Sequence, residues 1–283
     1  MFEKIGNGWE LMKSSAEVLR LDKSLLIFPL LSGVACLLVL GSFALPLFFS
    51  GALTVDANVN VQQQTHNPVA YVVLFAFYFF NYFVIVFFNS ALIACAVIRF
   101  NGGTPTIGDG FQAAIARLPQ ILAWSLVSAT IGFILKMIES RSEKVGEFVS
   151  GLLGLAWSIA TFFVVPVIVI EGASPFEAIK RSGAVLRRSW GESIVGNSSI
   201  SLLIFLGMVL AMIPAGLGLM TGNVVAIVTG VGITAVLVIG LSIVSAALHT
   251  ILLGALYVYA AEGRVPFAFD QSVLRSAFAS RRN

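Results

Sequence analysis

Residues 69–105 read VAYVVLFAFYFFNYFVIVFFNSALIACAVIRFNGGTP, and this stretch decides the fold. From Val69 to Ile98 no side chain carries a formal charge. The run is far longer than the roughly 18 apolar residues that mark a membrane-crossing helix. It closes on Arg99 and then on Asn101-Gly102-Gly103-Thr104-Pro105. Glycine supplies the left-handed residue that ends a helix, and proline is preorganised at the first position of the next one.

Composition extends the reading to the whole chain. Of 283 residues, 58% are hydrophobic and 11% are charged, with mean hydropathy +0.96. A soluble domain carries about 25% charged residues, so this chain cannot cover an aqueous surface. The sequence predicts an all-α polytopic membrane protein with six spans, at about 25–49, 69–99, 115–137, 147–170, 194–219 and 223–260. The sixth is too long for a perpendicular crossing at roughly 1.5 Å per residue through a core of about 30 Å. It must tilt, project beyond the bilayer, or bend at Gly230, Gly232, Gly240 or Gly254. The first 24 residues are charged and amphipathic, and the apolar run behind them is too long for a cleaved signal peptide.

Charge sets the expected orientation. Fourteen of the 17 Lys and Arg fall on one side of the six spans, and only Lys136, Arg141 and Lys144 on the other. Basic residues mark the cytoplasmic side, so both termini are expected inside a cytoplasmic membrane, the inner membrane of a bacterium. The loop 50–68 then lies outside, with no Lys or Arg. Cys36 and Cys95 sit in apolar spans and read as packing residues. No continuous basic soluble face exists to track phosphates, which excludes nucleic acid as a partner.

The motif that ends the second span recurs. Asn101, Gly102 and Pro105 are matched by Glu171, Gly172 and Pro175 after the fourth span, and by Glu262, Gly263 and Pro266 after the sixth. The first two copies continue in register at an offset of 70, with Ala114 on Ala184 and Arg117 on Arg187. Thr104 or Ser174 is expected to cap the next helix, and Glu177 to complete a capping box with Ser174. Each following helix is amphipathic. Phe176, Ile179, Gly183, Leu186 and Trp190 share one face, and Trp9, Met12, Ala16 and Leu19 repeat the spacing, as do Phe111, Ala114, Leu118 and Ile121. The chain therefore reads as one integral membrane domain, 1–283. Three parallel repeats of interfacial amphipathic helix plus transmembrane hairpin fall at about 1–104, 105–174 and 175–265, with a cytoplasmic segment at 266–283.

The run from Val165 to Ser182, VPVIVIEGASPFEAIKRS, resembles a signature of several bacterial six-span families. They include the membrane domain attached to some glycerophosphodiester phosphodiesterases, and a family of unknown function that the whole chain resembles in architecture. The resemblance implies a six-span membrane fold. No phosphodiesterase domain is attached here, so that activity does not carry over. Gly8-Trp9-Glu10-Leu11 with Pro29-Leu30-Leu31 resembles, over a short stretch, the bacterial sulfate-channel family linked to cysteine synthesis.

No HExxH, GxSxG or Walker loop is present, and no catalytic residue, metal site or cofactor is predicted. His66 falls in the outside loop. His249 is the one ionisable residue placed well inside a span, and such residues are functional candidates because burying them is costly. Asn81 and Asn89, eight apart, share a face of the second span, and Gln120 joins them as a candidate intramembrane polar residue. Glu171 and Glu262 read most simply as partners of Lys180, Arg181 and Arg264. Lys180, Arg181, Arg187 and Arg188 are the candidate contacts for anionic lipid or a partner. The reading is a non-enzymatic accessory or membrane-organising protein, its partners the bilayer, anionic lipid, and a protein or second copy. The alternative is a passive channel or permease for a small solute or ion, using Asn81, Asn89 and His249.

Overall fold

The computed structural model describes residues 2–49, 68–139, 145–188, 205–272 and 274, and the regular structure among them is helical throughout. In chain order the helices are α1 (Phe2–Leu21), a 3-10 turn at Lys23–Leu26, α2 (Ile27–Phe49), α3 (Pro68–Phe100), α4 (Ile107–Ala116) and α5 (Leu118–Glu139). There follow α6 (Val145–Ala160), α7 (Val164–Glu171), α8 (Pro175–Arg188), α9 (Phe205–Met220) and α10 (Val224–Glu262).

Among the described residues five segments are long and apolar enough to cross a membrane: Lys23–Pro46, Val69–Phe100, Leu118–Glu139, Phe148–Glu171 and Val224–Glu262. They coincide with the first four expected spans and the sixth. Of the expected fifth span, 194–204 lies outside the described residues, and α9 is by itself short for a crossing. The loop 50–67, with His66, also lies outside them, as do 140–144 and 275–283.

The chain divides into two compact units. The first holds α1, the 3-10 turn, the end of α3 from Leu92, and the segments around α9 and α10. Its core gathers Leu11, Val18, Leu25, Leu92, Ile93, Ile251, Leu252 and Tyr257, all essentially buried, where α1 packs on α10. The sequence leaves α10 free to break at its glycines; it does not. It runs 39 residues without a break, roughly 58 Å at about 1.5 Å per residue. Its start is capped by Asn223, whose side chain accepts the Val225 N–H at 2.9 Å.

One of those glycines, Gly230, instead permits close approach, together with Gly218 of α9. A Cβ on Gly218 of α9 would stand 2.6 Å from the Ala226 carbonyl oxygen, and one on Gly230 of α10 would strike the Pro214 carbonyl. The two helices thus meet backbone to backbone, as small residues allow in membranes. Pro214 disturbs the helix locally, and the Ala215 N–H donates to Thr234 Oγ1 across the pair at 3.0 Å.

The second unit holds the rest of α2 and α3, with α5, α6, α7 and the flanking parts of α4 and α8. Here α5 packs on α6, with Trp124 stacked on Trp157 at 5.7 Å. The fourth span is interrupted by a turn at 161–163, because Pro166 has no N–H and its ring crowds the carbonyl four residues back. The Phe163 N–H, released by that break, donates to Ser182 Oγ of α8 at 3.0 Å. A proline in a span therefore creates the acceptor requirement that docks the amphipathic helix. The phenylalanines of α3 serve packing: Phe77 meets Phe43 edge-on at 5.7 Å, and Phe75 meets Phe133 at 5.9 Å.

Candidate functional site

The polar chemistry of the described chain concentrates where the three motifs lie. Gly102, Gly172 and Gly263 adopt φ of +80°, +70° and +68°, so each follows its helix in the left-handed conformation that glycine tolerates. Pro105, Pro175 and Pro266 are all buried. The polar residue ahead of each glycine meets an arginine. Arg181 Nε donates to Glu171 Oε1 at 3.0 Å; Arg264 donates to Glu262 and, through Nη1, to Asn101 Oδ1 at 2.7 Å.

In the first unit Arg264 thus joins its own motif copy to the first, bonding a residue 163 positions away. The backbone reinforces that junction, since the Phe267 N–H donates to the Phe100 carbonyl at 3.1 Å and the Phe100 and Phe269 rings meet edge-on at 5.9 Å. Asp22 and Arg99 form a two-pronged ion pair, Arg99 Nη2 to Asp22 Oδ1 being 2.7 Å. Both side chains are largely shielded, at 13% and 11% exposure. This pair escaped sequence reasoning. The available signal was an acidic residue at the head of the first span and a lone cation at the end of the second. Cys95, buried as expected, donates its thiol to the Thr106 carbonyl at 3.4 Å.

In the second unit Arg117, in the turn before α5, lies against the Gly172 backbone. A Cβ on Gly172 would sit 2.5 Å from Arg117 Nη1 and 2.7 Å from Cζ. The guanidinium covers the C-terminal end of α7, where helix carbonyls favour a cation.

The caps correct one expectation. Ser174 and Glu177 form the predicted box, Ser174 Oγ and N–H donating to Glu177 Oε2 at 2.7 and 3.0 Å. Thr104, however, does not cap α4. Thr106 does, its hydroxyl and N–H donating to Asp109 Oδ2 at 2.7 and 2.8 Å. The first junction carries two more residues between its left-handed glycine and its cap than the second. Both carboxyls are held below the ordinary carboxylate range, first by the Thr106 or Ser174 hydroxyl and then by the same residue's N–H.

That insertion shifts the helix register from an offset of 70 to 68. Ala114 is buried with Ser182, whereas its expected counterpart Ala184 is exposed. The amphipathic faces are also turned by about one residue. α1 buries Leu11, Ser15 and Val18 and leaves Trp9 42% exposed, while α8 buries Ala178, Ser182 and Val185 and leaves Phe176 69% exposed. Trp190 lies outside the described residues. With α1 and α8 so aligned, residues 9–20 (WELMKSSAEVLR) match 176–187 (FEAIKRSGAVLR) at six of twelve positions.

The remaining candidates are placed as follows. Lys180 and Arg187 are exposed on α8, while the Arg188 side chain lies outside the described residues. Asn81 and Asn89 are half-buried on α3, and Asn81 Nδ2 donates within its own helix to the Phe77 carbonyl at 2.9 Å. Gln120 is half-buried in the first turn of α5, with its Oε1 buried and without a hydrogen-bond partner among the described residues. His249 is exposed on α10. Among the described residues no cluster of three metal-ligating side chains occurs. No curated protein and no solved structure matches the chain. A family model does match, over residues 68–267, which takes in two of the three junctions entirely and the third through its proline: the chain belongs to the family of unknown function DUF6159.

Proposed function

We propose that the chain is a non-enzymatic six-span protein of the bacterial inner (cytoplasmic) membrane, both termini cytoplasmic, that organises the membrane or assists a partner there. Its basic interfacial helices hold anionic lipid, or a partner protein presenting similar charge. The observation that carries this reading is on α8: Lys180 and Arg187 are exposed, while the neighbouring Arg181 is engaged by Glu171. Exposed cations that form no ion pair among the described residues, on an amphipathic helix beside apolar spans, suit a surface of anionic headgroups. A threefold repeat is supported by the three left-handed glycines, the three buried prolines and the common burial register of α1, α4 and α8. The likeness of residues 165–182 to the membrane domain attached to some glycerophosphodiester phosphodiesterases is read as shared architecture alone. Replacing Lys180 and Arg187 together by Gln is expected to lower retention of phosphatidylglycerol, but not of phosphatidylcholine, by the detergent-solubilised protein. Equal retention of phosphatidylglycerol by the variant overturns the reading.

A passive solute pathway is the second reading, and one observation favours it. His249 presents an exposed imidazole about thirteen residues, or roughly 20 Å, before the end of an otherwise apolar helix. A polar group at that depth is costly in lipid and is relieved by water in a conduit or by another protein. Solute flux into proteoliposomes that falls in His249→Leu, with folding retained, would support it; flux equal to that of empty vesicles removes it.

A further inference from the structure

The match between α1 and α8 separates into two sets of residues. Leu11, Ser15, Val18 and Leu19 are buried, as are their counterparts on α8, and packing accounts for them. Packing does not account for Lys13 with Lys180 or Arg20 with Arg187, which are identical yet exposed. It does not account for the exposed aromatics, Trp9 and Phe176, four residues ahead of each lysine. On both helices the aromatic, the lysine, a small residue (Ala16 or Gly183) and the arginine fall at positions 0, 4, 7 and 11. At about 100° per residue these form one narrow stripe.

The small residue lies between the two cations, and a Cβ on Gly183 meets nothing within 4 Å, so two long basic side chains have open room to converge there. On α1 the Lys13 ammonium lies 5.8 Å from the Trp9 ring. α4 supplies an internal control. It keeps the packing face through Gly110 and Ala114 but has Gly108, Gln112 and Ile115 at the first three stripe positions and ends at Ala116, before the fourth.

We propose that Trp9, Lys13 and Arg20 form a second binding site for an anionic phospholipid. Lys13 and Arg20 clasp the headgroup phosphate over Ala16, and Trp9 enters the acyl boundary, on the plan of Phe176, Lys180 and Arg187. The site rests on the function proposed above for α8 and extends it to a helix for which composition suggested only amphipathicity. The ligand is membrane-held lipid: an aromatic beside the cations adds apolar burial at the interface, which free phosphate cannot use. Glu10 and Glu17 also stand exposed on α1, whereas on α8 Glu177 is held by Ser174 and Ala184 replaces the second acid. The α1 site is therefore the weaker of the two.

The test uses the full chain in detergent, with bound phosphatidylglycerol counted by native mass spectrometry and phosphatidylcholine and inorganic phosphate as comparison probes. Wild type is expected to hold two phosphatidylglycerol molecules in separable steps. Lys13→Gln with Arg20→Gln should weaken the weaker step, and Lys180→Gln with Arg187→Gln the stronger, each by roughly 30-fold in affinity. Unchanged thermal stability shows that these exposed replacements leave the fold intact, and Trp9→Ala should weaken the α1 step alone. Loss only in the α8 pair overturns the α1 site and leaves the parent reading standing. Loss in neither pair overturns both. Inorganic phosphate that displaces the lipid at equal concentration overturns the assignment to a membrane ligand.

Discussion

Ser182 Oγ accepts the Phe163 N–H at 3.0 Å, so a hydroxyl on an amphipathic helix completes the hydrogen bonding of a span that Pro166 interrupts. Ser15 holds the equivalent position on α1 and is equally buried, but its hydroxyl has no hydrogen-bond partner among the described residues. The same residue type thus serves two different local states.

Removing these hydroxyls should have opposite consequences. Ser182→Ala removes the hydrogen bond to the Phe163 amide and is expected to cost about 1 kcal/mol, read as a lower Tm in detergent. Ser15→Ala removes an unsatisfied group and should leave Tm unchanged or higher. Equal losses in both variants would show that the serines are needed for size alone.

The left-handed glycines should differ in the same graded way. Gly263→Ala meets open space and carries only the backbone penalty, about 1 kcal/mol. Gly172→Ala adds a collision with the Arg117 guanidinium at 2.5 Å and should cost clearly more. In a double-mutant cycle, Arg117→Ala should recover part of that excess. A Gly172→Ala protein as stable as Gly263→Ala would show that Arg117 moves aside freely.

Acid should loosen the starts of α4 and α8. The Asp109 and Glu177 carboxyls are depressed below their ordinary values in the folded chain. A depressed carboxyl contributes stability that is full above its unfolded value, about 4, and is lost as pH falls through the lower folded value. Tm should therefore drop as pH falls below about 4, and Asp109→Asn with Glu177→Gln should flatten that limb. An acid limb identical in the double variant would assign the loss to other carboxylates.

Much of this fold could be read before any coordinates, because apolar run length is a one-dimensional signal. Val69–Phe100 and Val224–Glu262 stand out by length and lack of charge. The glycine and proline punctuation likewise fixed where helices stop. What escaped depends on distance in space or on counting inside a loop. Two extra residues moved the cap from Thr104 to Thr106 and shifted the α4 register. The buried faces of α1 and α8 lie one position from the apolar faces read from spacing, because Trp9 and Phe176, large and apolar, stay exposed. In lipid an exposed aromatic carries no penalty, so hydrophobicity loses its power to tell inside from outside. The partnership of Asp22 with Arg99 spans 77 positions, beyond any local pattern.

The ion pairs divide the arginines by the stage at which their charge matters. Arg99, Arg181 and Arg264 each face a carboxylate in the folded chain, so their electric field there is largely cancelled at short range. During insertion, before those carboxylates are in place, they count fully toward orientation. Afterwards the field presented to the bilayer comes from cations that form no ion pair among the described residues, Lys13, Arg20, Lys180 and Arg187 among them. Arginine substitutions in the first set are expected to misdirect or destabilise the nascent protein, and those in the second to alter what the mature protein attracts.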